Sequence, residues 1–406
     1  MSEWKTYSVA DIAAPGKNSL ATGPFGSAIG SRFFRESGIP VIRGSNLSVE
    51  VGSRLVEDDF VFVEESKAAE FSRSIVAKGD LIFTCWGTIG QVGLVDDNAH
   101  YERYLISNKQ MKLTPNLDIA DPVFCYYLFT SPVFVAQVNN VSIGSSVPGF
   151  NLSQLRKLPI SLPSLTEQRA IVGLLGALDD KIAVNGRISI TAENLARTLV
   201  GAVSKTKRVS LADLVDQRRG QVVPDVLDVP VVAHYSLPAF DSSHLPEIVD
   251  PGLVKSGKFL VSNPSVLISK LNPATPRVWN VHPTPLLPSI ASTEFLVLEP
   301  APGFTTHEIW AVCVQEEFLV ELSSKVAGTS NSHQRVPPAD VLSAKVVDPR
   351  TMGGVCRHQI SVLCQAASHA RIESRELSHL RDTLLPKLMS GEIRVRDAEK
   401  VVEEVT

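Results

Sequence analysis

The residue patterns that usually mark catalysis are missing from this chain of 406 residues. It has no G-x-x-x-x-G-K-[S/T] phosphate loop and no G-x-G-x-x-G opening a helix. Its double proline, Val336-Pro337-Pro338-Ala339, lacks the polar and aromatic flanks with which an amino-methyltransferase clamps a flipped base. Glu65-Ser66-Lys67 has the E-x-K spacing of metal nucleases, but no Pro-Asp partner precedes it suitably. The nine histidines form no H-x-x-x-H metal pattern. Cys85, Cys125, Cys313, Cys356 and Cys364 contain no C-x-x-C pair, which argues against zinc or a disulfide framework and for reduced thiols in a cytoplasmic protein. Catalysis, if any, is expected to belong to a partner.

The chain does carry side chains suited to nucleic acid. Sequence readers need phosphate clamps to set register and side chains that bond base edges. Arg32, Arg35, Arg43, Asn46, Thr88 and Lys109 are the candidates in the first half. Arg218, Arg219, Lys270, Asn272, Arg277, Gln334 and Arg335 are those in the second. Two small-residue loops, Gly144-Ser145-Ser146 and residues 328–332, could offer backbone N–H groups to phosphates. Lys205-Thr206-Lys207-Arg208 reads as a basic linker.

The formal net charge of −4 excludes a generally basic coat protein. Residues 1–163 carry 14 basic and 16 acidic side chains, and residues 204–350 carry 13 and 15. Any DNA-facing surface must therefore be a local patch. With 44% hydrophobic residues the chain can bury more than one core, and its length fits two to four domains of ~100–200 residues. The N-terminus shows no secretory pattern, and no run reaches the ~18 apolar residues of a membrane span.

An internal repeat organises the candidates. Lys78-Gly79-Asp80-Leu81-Ile82-Phe83 resembles the stretch from Ser262 to Ile268, and Ser107–Leu113 lines up with Ser292–Leu298, an offset of about 185 residues. The same shift carries Gly144-Ser145-Ser146 onto Gly328-Thr329-Ser330 and Leu158–Pro163 onto Ala344–Pro349. Tyr7–Ile12 echoes Val209–Leu214 at an offset of 202, so the second copy is about 17 residues shorter in its early part.

Each copy pairs a Pro- and Gly-rich part carrying short strand-like runs with a long helical segment. Ser164-Leu165-Thr166-Glu167 forms a capping box. Ile171, Leu174, Leu175, Leu178, Ile182, Ile188, Leu195 and Leu199 follow at helical spacing, which predicts a helix over 164–203, roughly 60 Å long at 1.5 Å per residue. Ile360, Leu363, Ala367, Leu377, Leu380, Leu384 and Leu388 predict the second, with Pro386 expected to kink or end its last turn and Gly391 to stop it. Asn185, Ser189 and Ser374 interrupt the stripes and argue against a strict coiled coil. Two such rods most simply bury their stripes against each other, antiparallel. The expected fold is α+β: similar domains at 1–163 and 204–350, long helices at 164–203 and 351–391, and a tail at 392–406, related by an approximate two-fold repeat.

At these residues the chain resembles the specificity subunit of type I restriction–modification systems. The resemblance rests on Thr22-Gly23-Pro24-Phe25-Gly26-Ser27, Gly38–Leu47, Gly79-Asp80-Leu81-Ile82, Gly87-Thr88-Ile89-Gly90, Leu162–Gln168 and Leu384–Ile393, and spans nearly the whole length. Cys85-Trp86 stands where the family often has basic residues, and Arg218-Arg219-Gly220-Gln221 replaces the Gly-Pro-Phe-Gly-Ser loop in the second half.

The resemblance implies two target-recognition domains joined by antiparallel helices that act as a ruler, each domain reading half of a bipartite, asymmetric site on double-stranded DNA. It also implies two modification (methyltransferase) subunits and two restriction (motor-nuclease) subunits. S-adenosylmethionine, ATP and Mg2+ would be used by those partners, with no cofactor on this chain. A competing expectation is a protein-binding scaffold built on the paired-helix rod.

Overall fold

The structure is a computed structural model that describes residues 4–144, 148–203, 207–284, 286–325 and 334–405. The loops at 145–146 and 328–332 and the linker residues Lys205 and Thr206 lie outside the described residues. Residue contacts divide the chain into two units, 1–181 with 377–406, and 182–376. The division cuts through both long helices, Leu165–Ala202 and Gly354–Met389, so each unit holds one end of each.

In the first unit a four-stranded antiparallel sheet runs Leu20–Thr22, Gln110–Leu113, Leu81–Thr84, Val92–Leu94. A second sheet runs Val61–Val63, Ile39–Ile42, Arg103–Ile106, Ile75–Ala77, with one parallel pair between Val41–Ile42 and Leu105–Ile106. Lys5–Ser8 pairs with Pro159–Leu162 and brings the start of the chain to the strand before the first long helix. Local chemistry sets the flanking helices. Asp121 caps Pro122–Thr130 by accepting from the N–H groups of Val123 and Phe124, and Asn151 with Gln154 forms the capping box of Leu152–Lys157.

The second unit repeats this plan. Its antiparallel sheet runs Val215–Arg218, Phe295–Pro300, Ser265–Ser269, Val278–Val281. Its other sheet again holds one parallel pair, Val232–Tyr235 with Ser289–Ala291. Cross-strand partners locate the equivalences. Thr84 faces Gln110 as Ser269 faces Phe295, an offset of 185 in both strands. The offset is 193 from Ile42 to Tyr235, since each pairs with the residue of an equivalent partner strand (Ile106 and Ala291). At the first strands it is 202, from Tyr7 to Val209. The shortening of the second copy is thus spread over several loops.

The first long helix begins as the capping box predicts, with the Ser164 hydroxyl accepting from the Glu167 N–H at 3.3 Å. Gln168, fully buried, fastens that end: its Nε2 donates to the carbonyls of Ile119 and Pro163 at 3.0 Å, and its Oε1 accepts from the Asp121 N–H. The second helix starts at Gly354 and runs through Pro386 to Met389, where Gly391 follows with φ +72°. Pro386 does not end the helix, which closes one turn later with the Ser390 N–H donating to the Pro386 carbonyl.

Within each unit the two helix segments pack together. In the first, Asp179 and Arg381 form a buried ion pair at 2.8 Å, and the Tyr127 hydroxyl donates to the other Asp179 oxygen at 2.5 Å. In the second, Asn185 donates to Glu373 at 2.8 Å and Arg371 bonds Glu193 at 2.6 Å, so one helix ascends as the other descends. The seam there corrects the expected stripe. Ile188 and Leu195 are 43% and 48% exposed, while Asn185, Ser189, Ala192, Ala196 and Val200 are buried. Small and polar residues let the backbones approach, and the polar pairs fix register where apolar side chains alone would tolerate slippage.

Candidate nucleic-acid interface

In the first unit, three of the six candidates line one cleft of about 410 Å³: Arg43, Thr88 and Lys109. They come from the loops at one end of the antiparallel sheet, beyond Thr84 and before Gln110, together with the turn that follows Ile39–Ile42. Gly87 and Gly90 hold φ of +93° and +95°, which glycine alone adopts without strain, and so present Thr88 on an exposed turn. Gly23, in the Thr-Gly-Pro-Phe-Gly-Ser motif, lies so close to the Ser107 carbonyl that a Cβ would sit 1.8 Å from it.

A polar framework braces the cleft. Thr84 donates to Gln91 Oε1 at 3.0 Å, and Gln91 Nε2 donates to the Leu47 carbonyl at 2.8 Å. Asn46 belongs to this framework and is not at the surface. It is fully buried, its Oδ1 accepts from the Arg43 N–H, and its Nδ2 donates to the carbonyls of Val56 and Asp58. Arg32 lies with its guanidinium 4.6 Å from the Phe33 ring centroid, and Arg35 is bound to Glu64 at 2.8 Å; neither lines the cleft. Two of the lining residues outside the candidate set bear on the site. Trp86 is 49% exposed and its ring lies on Gly149, and Gln110 is buried at the cleft with its Nε2 lacking a partner. Trp86 stood out only as a departure from the family pattern, and Gln110 only as part of the repeat.

In the second unit the candidates gather at the equivalent sheet end. Leu271 bridges Arg335 as Trp86 bridges Gly149, and the Lys270 N–H bonds the Glu294 carbonyl as the Cys85 N–H bonds that of Lys109. Asn272, at φ +49°, donates its N–H to the Gln334 carbonyl, which brings Lys270, Asn272, Gln334 and Arg335 together. Here the cations face carboxylates. Arg335 forms a fork on Glu294 at 2.8 and 3.0 Å, and Arg277 one on Asp241 at 2.6 and 2.7 Å. These guanidiniums hold both carboxyls below the usual carboxylate range. Arg218 bonds Glu299 at 2.6 Å, and Arg219 bonds Gln217. No helix among the described residues is long and apolar enough to cross a membrane.

Residues 1–194 match the family described as "Type I restriction modification DNA specificity domain". Over that half the chain is similar to the specificity subunits of type I restriction–modification systems. It is 24% identical over 202 residues to the type I restriction enzyme HindI specificity subunit of Haemophilus influenzae, and 28% over 155 residues to the EcoBI specificity subunit of Escherichia coli. Those alignments cover 49% and 36% of this chain, but only 40% and 32% of the two relatives. The MjaIX specificity subunit of Methanocaldococcus jannaschii is 20% identical over 365 residues, 82% of each chain. In fold, the crystal structure of the type I restriction–modification S subunit from M. genitalium matches with a TM-score of 0.58 at 16% identity, over 95% of this chain and 96% of that one. The fold is thus α+β with two similar domains and two long helices, as the sequence repeat predicts.

Proposed function

We propose that the chain is the non-catalytic DNA sequence-specificity subunit of a type I restriction–modification complex. Each recognition domain reads one half of a bipartite, asymmetric site. The observation that carries this reading is the duplication itself: two domains of one sheet order, each gathering its polar loop residues at the equivalent sheet end. A duplicated reader suits a duplex with two half-sites, because whatever links the readers sets the half-site spacing. The long helices take that role and dock two methyltransferase subunits. Val184, Ile188 and Leu195 on the first helix, and Val355 and Val362 on the second, support docking by leaving apolar side chains exposed at helical spacing. Two motor-nuclease subunits complete the complex, in the cytoplasm. S-adenosylmethionine, ATP and Mg2+ then serve those partners, and this chain positions them on DNA.

The test is duplex binding by the full chain with its modification subunit across a salt series. The reading requires a bipartite preference and a steep fall of affinity with salt, because neutralising phosphates releases counterions. Binding indifferent to both sequence and salt contradicts it and favours a protein scaffold.

A further inference from the structure

The cleft of the first recognition domain holds more hydrogen-bond donors than the chain itself uses. Arg43 and Lys109 line it, and among the described residues no carboxylate does. Arg43 donates from Nη2 to the Asp59 carbonyl at 2.8 Å, and its Nε is shielded from solvent without a partner. Gln110, fully buried, accepts from the Ser107 hydroxyl at Oε1, and its Nε2 has no partner. Shielded donors without acceptors are costly and rare in folded proteins. Two in one cleft call for an acceptor that arrives from outside.

The four base edges differ in what they would offer these donors. In the major groove guanine presents two neighbouring acceptors, N7 and O6. Adenine pairs one acceptor with a donor, whereas the groups left without partners here, Arg43 Nε and Gln110 Nε2, are both donors. Cytosine presents a donor, which leaves the two unpartnered donors of the cleft unsatisfied. Thymine presents one acceptor beside a methyl group.

Resting on the specificity-subunit reading, we infer that the cleft formed by Arg43, Gln110 and Lys109 reads a guanine through its O6 and N7. A backbone phosphate offers the same acceptor chemistry, so the experiment must separate the two sources.

The full chain with its modification subunit is used to select duplexes from a random-sequence library, and the enriched guanines are then replaced singly by 7-deazaguanine. This change removes N7 and preserves base pairing. The inference predicts one guanine, in the half-site read by the first domain, whose replacement weakens binding about tenfold. Gln110→Leu and Arg43→Lys should relax selection at that position and leave the other half-site unchanged. Deazaguanine needs no variant to fold, so it stands even if a substitution destabilises the domain. The inference is overturned if that half-site carries no guanine, if it carries an adenine that depends on Gln110, or if the variants weaken all sequences equally, the mark of a phosphate contact. Enrichment of no bipartite motif would instead remove the specificity-subunit reading beneath it.

Discussion

The two units share the strand order of their antiparallel sheets and differ in how their cations are held. In the first, Arg43 and Lys109 line a cleft without a carboxylate among the described residues. In the second, Arg218, Arg277 and Arg335 are bound to Glu299, Asp241 and Glu294. The contrast is sharpest at one position: Lys109 and Glu294 occupy equivalent places, 185 residues apart, with opposite charge. A scaffold can therefore be duplicated while its reading surface is rewritten, because loops at a sheet end carry little of the core. The second surface resembles a pre-oriented fork of guanidiniums, which a base or phosphate must compete for.

The helix contacts differ as well, and here the largest effect is expected. Asp179–Arg381 in the first unit is less than one-tenth exposed on both sides, whereas Glu193–Arg371 in the second is about one-quarter exposed. Removing one partner of a buried pair strands the other charge, a cost of about 3–5 kcal/mol. Arg381→Ala should lower the stability of the full chain by that amount in urea unfolding, and Arg371→Ala by about 1 kcal/mol. Equal losses would erase the distinction between the two ends.

A smaller effect tests the cations directly. Glu294→Gln should release Arg335, raise DNA affinity severalfold at low salt, and steepen the salt slope by about one unit. Lys109→Glu, the reciprocal change, should lower affinity and flatten the slope by a similar amount. If Glu294→Gln leaves both affinity and slope unchanged, Arg335 does not face DNA.

Much of this fold was legible in the sequence. The offset of 185 between Ser107–Leu113 and Ser292–Leu298 matches the strand register, and Ser164-x-x-Glu167 marks the helix start. Periodicity misplaced the seam in the second unit, because it follows apolar residues, whereas Asn185, Ser189 and Ala192 are buried there. At the candidate interface, residue type located the loops but not their state. Asn46 looks like an adenine reader, yet its amide closes a turn with Val56 and Asp58. Arg335 looks free, yet Glu294, 41 residues earlier, meets it across the sheet end. Such pairings depend on strand register, which a single residue does not reveal. Gln110 stayed hidden because the feature that marks it, a buried donor without a partner, exists only once the chain has folded.

The central claim is that two readers recognise separate half-sites at a spacing set by the helices. The most direct measurement is the methylome of a strain expressing this chain with its modification subunit, compared with one whose subunit lacks four residues, about one turn, from each long helix. The account predicts a bipartite, asymmetric motif whose half-sites stay the same while the tolerated spacer shortens. Altered half-sites with an unchanged spacer, or a continuous motif from the start, would contradict it.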